Sequence, residues 1–383
     1  MLNMGNVLTK MIPDLYQALD VVSRELVGFI PSVARNSSAE RAAVNEDIIV
    51  PISTPGSAKD TTPAMSVPEP DEFTVDNAVI KITKSKNISF GLTGEEYRGL
   101  ENGVGANSIL QGNFQQALRE LCNMIEKDVA AEAGANASYA YGTAGTAPFA
   151  SSLADAANIR KILDDNGAPA TGRSLVIDTT AGVNLRSLTQ LTNVGDAGTS
   201  MTLRQGELLD LFGMSLKESA GIASPAIGDA VGLTLKAADA GDTELEVYAV
   251  TSGALKVGDI ITIAGDSTKY VVAEIPASLA ADAKFKIHGG LKKDVAAQSA
   301  VTIVSKSARN VAFTQNAIQL VTRAPALPGG RDAAVDNYML TDPRSGLSFE
   351  VRVYEGYRKM RMEVACAWGV KCIKPEHVAA LLG

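Results

Sequence analysis

Two glycine-containing segments carry residue types that are used in phosphate binding. Gly167–Ser174 has the spacing of a phosphate-binding loop, except that Arg173 stands where the lysine is expected. Such a loop normally follows a strand and opens a helix, whose N-terminal amides hold the phosphates. Here a predicted helix precedes the segment and a predicted strand follows it, so nucleotide binding is not expected. Gly103–Gly105 precedes a helix but follows no strand, which favours a simple loop.

The chain offers few groups for acid–base or metal chemistry. Its two histidines, His288 and His377, lie in a predicted turn and at a predicted helix start, where surface positions are expected. The three cysteines, Cys122, Cys366 and Cys372, show no CxxC spacing, and an odd number cannot pair completely within one chain. We therefore expect buried structural thiols. The sequence predicts no catalytic, cofactor-binding or metal-binding residue, no cofactor and no enzymatic activity.

The charge balance argues against a dedicated nucleic-acid binder. Among 383 residues, 35 Lys and Arg stand against 43 Asp and Glu, for a formal net charge of -8. Hydrophobic residues make up 46% and charged residues 20%, which is typical of a globular chain. Asp14, Asp20 and Glu25 interrupt the first apolar residues, and no run approaches the ~18 apolar residues of a membrane span. We expect a soluble protein of a reducing cytoplasm with no membrane partner.

Residues 12–30 have the spacing of an amphipathic helix. Apolar side chains recur every three or four positions, at Leu15, Leu19, Val22, Leu26 and Phe29. Such a helix either packs on the core of its own chain or contacts a partner as an arm. The sequence leaves both interpretations open.

Residues 46–92 predict a long hairpin arm. Strand-like residues 47–52 and 76–92 flank a stretch rich in Pro, Ser, Thr and Gly. A long segment that buries little of itself within a compact domain is functional or disordered. We expect this arm to lie on a neighbouring subunit.

A long helix and a long hairpin predict the central body of an α+β domain. Residues 107–134 keep apolar side chains three or four positions apart, which gives a helix roughly 40 Å long with Gly134 as its stop. Residues 347–370 alternate in polarity around a turn at Glu355–Gly356, so the hairpin has one apolar and one charged face. The helix is the natural cover for the apolar face.

A second compact unit follows the long helix. A helix over 150–164, a buried strand over 174–178 and short helices over 181–191 and 203–212 are predicted there. This succession is an αβαα unit.

From residue 228 to 308 the pattern changes to short strands separated by turns that contain glycine. The predicted strands are Leu233–Leu235, Leu245–Val250, Asp259–Ile263, Tyr270–Ile275, Lys284–Ile287 and Val301–Val304. About six short strands at regular spacing indicate a small antiparallel barrel or sandwich. It looks inserted, because the earlier mixture of helix and strand resumes near Asn310.

In this order of elements the chain resembles the major capsid proteins of tailed double-stranded DNA phages, which have the Hong Kong 97-like fold. Asn310–Leu320 and Val351–Tyr357 carry the resemblance in sequence, and the inserted β unit is similar to the branch of short-tailed Salmonella-phage coat proteins. The resemblance implies an α+β capsid fold with five parts. These are an N-terminal helical arm (1–45), an extended β loop (46–92), a peripheral domain with the spine helix (93–145 and 309–383), an axial α/β domain (146–227) and an inserted small antiparallel β-barrel (228–308).

The resemblance also implies a function and partners. Copies of the chain would form the pentamers and hexamers of an icosahedral shell around a double-stranded DNA genome. A procapsid would be built first, with a scaffolding protein, in the cytoplasm of the host bacterium, and the final location would be the virion capsid. Portal and decoration proteins are further implied partners, and contact with the DNA would be weak and non-specific. In the founding family member, a lysine and an asparagine form a crosslink that a glutamate activates. These three residues have no recognisable counterparts in this sequence, so no crosslinking is predicted.

Two other functions stay open. An encapsulin-like compartment shares the fold but encloses enzyme cargo, and a bacterial enzyme or surface protein with an accessory β module would form no shell. The basic run Arg358, Lys359 and Arg361 on the polar side of the hairpin faces either packaged nucleic acid or a solvated or intersubunit surface, and we favour the second.

Overall fold

The computed structural model describes residues 12–13, 15–19, 27–53, 60–61, 63, 75–101, 106–192, 210–330, 332–342 and 346–383. The helices are α1 (Gly94–Glu101), α2 (Ala106–Ala135), α3 (Ala154–Asp165), α4 (Thr179–Ser187) and α5 (Thr189–Thr192). The first strands are β1 (Ala34–Ala42), β2 (Asp47–Ser53), β3 (Val75–Lys81), β4 (Lys84–Thr93), β5 (Tyr139–Tyr141), β6 (Arg173–Ile177) and β7 (Ser215–Glu218). The next are β8 (Thr234–Leu235), β9 (Glu244–Ala249), β10 (Ile260–Ile263), β11 (Lys269–Glu274), β12 (Lys284–Ile287) and β13 (Ser299–Ile303). The last are β14 (Arg309–Thr314), β15 (Ile318–Pro325), β16 (Ala334–Thr341), β17 (Ser348–Gly356), β18 (Lys359–Cys372) and β19 (Val378–Leu382).

The body of the protein is a sheet backed by the 30-residue helix α2, about 45 Å long at 1.5 Å per residue. The sheet has the order β1-β15-β18-β17-β16, and β4 also pairs with β18. The predicted helix face is buried as expected, at Leu110, Phe114, Ala117, Leu118, Leu121, Ile125 and Val129. These side chains share one core with β17 and β18, so the predicted cover of the hairpin is confirmed. The helix continues past Gly134 and ends at Ala135.

Polar side chains of α2 fix its position along β18. Trp368 is fully buried, and its Nε1 donates to Oδ2 of Asp128 at 2.8 Å. The backbone N–H of Cys372 donates to Oε1 of Glu132 at 3.1 Å, and burial of the Glu132 carboxyl raises its pKa. Each of these bonds joins residues 240 positions apart in the sequence. They therefore set which part of the helix lies over which part of the strand.

The face of β17 that was expected to be charged and exposed is buried. Ser348, Glu350 and Arg352 are each less than 5% exposed. Arg41 of β1 forms an ion pair with Glu350 at 2.5 Å, and Nε of Arg352 donates to the same carboxylate at 2.9 Å. Arg352 also pairs with Asp332. The predicted charged face is therefore present but buried, because Arg41 and Asp332 supply counter-charges from other segments of the chain.

The turn of this hairpin lies two residues beyond the predicted Glu355–Gly356. Gly356 pairs with Lys359, so Tyr357 and Arg358 form the two-residue loop. Arg358 has φ 55°, so the second residue of this loop has a left-handed backbone conformation.

The described part of the N-terminal segment packs on the protein's own core. Residues 15–19 are helical, and Leu15, Ala18 and Leu19 belong to the main core, which favours the first of the two interpretations for this stretch. Residues 20–26 lie outside the described residues. The predicted helix does not extend over 27–30, where the chain forms a bend and a turn. Within the predicted helical arm 1–45, residues 34–42 form the strand β1 instead of helix. β1 pairs in parallel with β15.

A buried carboxylate of α2 holds this N-terminal turn in place. Glu126 is 2% exposed and accepts backbone N–H bonds from Gly28, Phe29 and Ile30 at 2.7–3.0 Å. Ser219, directly after β7, donates its hydroxyl to the same carboxylate at 2.6 Å. A buried carboxylate is tolerated when its oxygens are satisfied in this way. Glu126 therefore joins the N-terminal turn, the long helix and the end of β7.

The second sheet combines an α/β unit with a barrel. Its order is β10-β13-β8-β9-β12-β11-β5-β19-β14-β6-β7. The predicted helix 150–164 and the buried strand 174–178 are confirmed within a few residues as α3 and β6. The predicted helix 181–191 is two helices, α4 and α5, because the backbone is extended at Leu188. Asp178 caps α4 by accepting from two backbone N–H groups.

The predicted helix 203–212 is not found in its described part. Residues 203–209 lie outside the described residues, and Leu211 and Met214 close a tight turn through two mutual backbone hydrogen bonds. β7 follows at once and pairs in parallel with β6. This strand was not predicted, because only four residues form it.

The six predicted short strands form a closed antiparallel barrel, β10-β13-β8-β9-β12-β11, with β10 also paired to β11. The barrel alternative of the prediction is therefore confirmed over the sandwich. Its interior is apolar, with Leu235, Leu245, Val247 and Phe285 at most 1% exposed. The barrel continues into the rest of the sheet through β5, which pairs with β11 on one side and β19 on the other. In the chain, the barrel strands lie between β7 and β14, and both of these pair with β6.

Gly369 of β18 allows the closest backbone approach in the body. A Cβ at this position would lie 2.0 Å from the carbonyl oxygen of Lys81 and 3.2 Å from Cα of Ile82. Backbone atoms cannot rotate away, so we predict that Gly369→Ala lowers the free energy of unfolding by about 3 kcal/mol. Urea unfolding followed by Trp368 fluorescence measures this change. Gly112→Ala in α2 is the matched control, because a Cβ there meets nothing within 4 Å. It should raise stability by about 0.5–1 kcal/mol, and an equal loss in both variants would contradict the prediction.

Glu126→Gln tests the role of the buried carboxylate. The amide nitrogen of glutamine cannot accept the bonds that one carboxylate oxygen accepts now, so buried N–H groups lose their acceptor. We expect the free energy of unfolding to fall by about 2–3 kcal/mol in the same urea assay. Glu120→Gln, on an exposed position of the same helix, should change it by less than about 0.5 kcal/mol. Equal stability of the Glu126→Gln variant and the parent would show that this carboxylate does not anchor the N-terminal turn.

Candidate assembly surface

The hairpin of β2 and β3 has one face toward the body and one face toward solvent. The strands pair in register from Asp47↔Lys81 to Ser53↔Val75. On the inner face, Ala78 and Ile80 are buried, and Ile80 packs in a small cluster with residues of β15 and β18. Side chains of a strand alternate between faces, so the residues between them point outward. The predicted hairpin arm is thus confirmed for 47–53 and 75–81.

The outer face of the hairpin carries a pair of apolar side chains in water. Ile49 and Val79 are directly opposite each other across the strands, and they are 63% and 38% exposed. Asp47 and Lys81 lie beside them, 4.0 Å apart and more than half exposed, where an ion pair contributes little. The arm was predicted from the sequence, whereas this exposed pair was not. The alternation of β-branched residues in both strands is the signal that could have found it.

The edges of the hairpin are also open. Its two strands form a sheet of their own, and neither pairs with another strand in the described ranges. An unpaired strand edge presents rows of free N–H and C=O groups to any partner. A two-stranded hairpin alone is at best marginally stable in water. The combination of an apolar outer face and free edges therefore marks a surface that gains stability when another chain covers it.

The base of the hairpin is firmly held. The backbones of Asn45 and Ile82, and of Ile82 and Glu46, bond at 2.9 and 3.1 Å. The N–H of Thr83 donates to the carbonyl of Trp368 at 3.0 Å, and Nζ of Lys371 reaches the carbonyl of Val79 at 2.9 Å. The arm therefore leaves the body in a defined direction. The predicted Pro-rich tip, residues 54–74, lies almost wholly outside the described residues.

The predicted strand 76–92 is two strands with different partners. β3 belongs to the arm, whereas β4 pairs with β18 over ten residues, from Lys84↔Trp368 to Thr93↔Lys359. The break lies at Ile82–Thr83, where the chain leaves the arm and joins the central sheet. The extended loop 46–92 therefore contributes its last nine residues, 84–92, to the body.

The tip of the hairpin formed by β17 and β18 is a second exposed surface. Tyr357 is 88% exposed, and the guanidinium of Arg358 lies 5.6 Å from the centre of its ring. Lys359 and Arg361 are exposed beside it, which is compatible with both interpretations of this basic run. Arg361 pairs with Glu363 at 3.1 Å. This tip is basic and aromatic, in contrast to the apolar arm.

The first of the two segments that suggested phosphate chemistry does not form a phosphate site. Gly167–Ser174 lies between α3 and β6, in the predicted order of helix before strand. Arg173 is buried, and its guanidinium is bound by Asp164 at 2.6 Å and by the carbonyls of Ala168 and Pro169. Its donors are therefore used within the loop. Gly103–Gly105 lies outside the described residues.

The sulfur and imidazole groups sit in buried or half-buried positions. Cys122, Cys366 and Cys372 are buried thiols that form no disulfide, as predicted. His288 and His377 are half-buried rather than on the surface, and burial lowers the pKa of both. Within the described ranges, no three His, Cys, Asp or Glu side chains are placed to hold a metal ion. Among the helices described, none is long and apolar enough to cross a membrane.

Comparison with known proteins identifies solved phage capsids as similar structures. No protein-family model and no curated protein sequence matches the chain. A structure from Mycobacterium phage Che8 is 16% identical, covers 88% of this chain and 84% of its own, and has a TM-score of 0.45. The capsid structure of the cyanophage P-SCSP1u is 13% identical, with 91% and 86% covered and a TM-score of 0.46. The mature capsid of bacteriophage PhiM1 is 14% identical, with 92% and 86% covered and a TM-score of 0.42. Similarity at this level does not transfer a function, which has to be inferred from the chain itself.

Proposed function

We propose that this chain is the major capsid protein of a tailed double-stranded DNA phage, a structural subunit whose repeated copies build the virion shell. The observation that carries the proposal is the arm of β2 and β3, with the outward pair Ile49 and Val79 and with no third strand paired to it in the described ranges. Covering one such side chain removes apolar surface from water and gains roughly 2 kcal/mol. A subunit that offers this gain once per copy is suited to repeated contacts.

The arm fits a second copy of the same chain. In a closed shell every subunit gives the same contact that it receives, so one arm and one receiving surface are enough. The arm is held at its base by the bonds of Ile82 and Thr83, so it would meet each neighbour in the same direction. The sheet backed by α2 would supply the wall itself.

The finer organisation is part of the same proposal. Pentamers and hexamers would form an icosahedral shell, first as a procapsid built with a scaffolding protein in the host cytoplasm. Residues 93–145 and 309–383 would be the peripheral domain, 146–227 the axial domain at the capsomer centres and 228–308 the inserted domain. The barrel's position in the chain between β7 and β14, which both pair with β6, supports insertion. Portal and decoration proteins would bind the shell.

A weak hold on the enclosed DNA follows from charge. The chain has a net charge of -8, so strong phosphate binding over the whole subunit is not favoured. The exposed basic tip with Lys359 and Arg361 would limit any DNA contact to a small area. Such contact would be non-specific, and the shell would act as a container rather than an enzyme.

Ile49→Asp tests the arm as the assembly contact. Co-expressed with its scaffolding protein, the parent chain should give closed particles in negative-stain electron microscopy. The variant places a charge where apolar contact is expected, and losing roughly 2 kcal/mol per contact raises the concentration needed for assembly at least about tenfold. Sedimentation velocity measures this concentration. The melting temperature of the unassembled subunit should stay the same, because the Ile49 side chain is 63% exposed.

Val231→Asp on the barrel is the matched control, since Val231 is similarly exposed at 59%. Normal particles from the control and none from Ile49→Asp would support the proposal. A parent chain that gives only monomers or small rings under all assembly conditions would contradict it. The material enclosed by the particles distinguishes the two shell functions. Enclosed DNA indicates a phage head, whereas a co-purifying enzyme indicates an encapsulin-like compartment.

A further inference from the structure

A pocket lies where the barrel, the long helix and the central strands meet. It has a volume of about 280 Å³ and is lined by the C-terminal half of α2, the loop 220–226, residues 257–259 before β10 and Arg309. Its walls are mostly small and apolar, with Ala130, Pro225 and Ala226 among them. The pocket belongs neither to the arm nor to the hairpin tip.

One wall of this pocket is a buried arginine, two of whose nitrogen atoms find no hydrogen-bond partner among the described residues. Arg309, the first residue of β14, is 3% exposed. Its Nε and Nη1 atoms are buried and donate to no group among the described residues. The side chain lies so close to α2 that a Cβ at Gly134 would come within 3.1 Å of it. A buried guanidinium is costly unless an anion or carbonyl accepts its hydrogen bonds.

The nearest acidic group does not supply that acceptor. Asp259 lines the same pocket and is 2% exposed. Its carboxylate accepts the N–H of Gly228 at 3.0 and 3.1 Å and the N–H of Lys256 at 2.7 Å. Burial lowers the pKa of Arg309 to about 10 even though Asp259 favours its charged form. Asp259 therefore holds the barrel loops and leaves the arginine donors free.

The charges around the pocket define what would fit it. Lys127 of α2 is an exposed cation at the pocket, on the same helix face as Ala130 and Ala131. Two cations, one of them with free donors, favour a carboxylate, which matches the geometry of a guanidinium. The small apolar walls favour an aliphatic body attached to that carboxylate.

We propose that this pocket binds a carboxylate carried on a short aliphatic body, with Arg309 as its ion-pair partner. The carboxylate belongs either to a small free acid or to an acidic side chain of a second copy of the chain. Binding to the unassembled chain does not depend on the shell function, so the two proposals fail separately.

Hexanoate is the probe, titrated into the unassembled chain by isothermal titration calorimetry. We expect saturable binding with a dissociation constant of about 1 mM, and a higher melting temperature in its presence. Hexylamine and hexanol should not bind, because neither carries an anionic group that can accept hydrogen bonds from the guanidinium. Absence of hexanoate binding, or equal binding of hexylamine, would overturn the proposal.

Arg309→Met keeps an unbranched apolar side chain and removes the guanidinium charge. Hexanoate should then bind at least about tenfold more weakly. The variant should melt no lower than the parent without ligand, because an unpaired buried charge has been removed. Arg323→Met is the matched control, since Arg323 is 4% exposed on β15 and bonds to Asn36 instead of the pocket. Undiminished hexanoate binding by a folded Arg309→Met variant would overturn the proposal.

The source of the carboxylate is read from assembled particles. If a free acid is the occupant, particles bind hexanoate as the unassembled chain does. If a second copy supplies the group, particles no longer bind it, while the unassembled chain still does. Either result supports a carboxylate site, and binding that is unaffected by Arg309→Met in both states would exclude it.

Discussion

The packing of helix α2 is the constraint on which most of the described structure depends. Its apolar stripe covers the sheet of β17 and β18, and its polar residues are bound at separate points along its length. Glu126 holds the N-terminal turn, and Asp128 and Glu132 hold β18. At its C-terminal end, Gly134 faces Arg309 of β14 and Ala135 meets Gly258 of the barrel. Because a buried carboxylate needs its hydrogen-bond partners, the bonds of Glu126, Asp128 and Glu132 fix where the helix lies along the segments it contacts.

Elements with a local period could be predicted from the sequence, and contacts between distant segments could not. The helix 107–134 and the six barrel strands repeat within a few residues, so their patterns identify them. The parallel pairing of β1 with β15 joins segments nearly 300 residues apart. Glu350 of β17 has the spacing of a solvent-facing residue, and only Arg41 of that remote strand explains its burial. Glu126 has the pattern of an ordinary charge on a solvated helix for the same reason.

The candidate surface was predictable in outline and not in detail. Prolines and alternating residues over 46–92 predicted an arm, but the outward pair depends on the register that puts Ile49 opposite Val79. Free edges and apolar faces invite uncontrolled association, and the hairpin limits it. Pro51 has no N–H to offer a partner strand, and Asp47 and Lys81 place charges beside the apolar pair. These features favour one specific docking geometry over continuous strand addition.

Two buried charges near α2 are treated in opposite ways by the same fold. Four donors from two segments satisfy Glu126, which therefore fixes structure. Arg309 is equally buried, yet its Nε and Nη1 find no acceptor in the described part of the chain, and the adjacent Asp259 is already engaged by backbone groups. The same helix thus lies beside one buried charge whose hydrogen bonds are satisfied and another whose hydrogen bonds are not. The free donors lie at the seam between barrel, helix and β14, so an anion bound there would tie the barrel to the body.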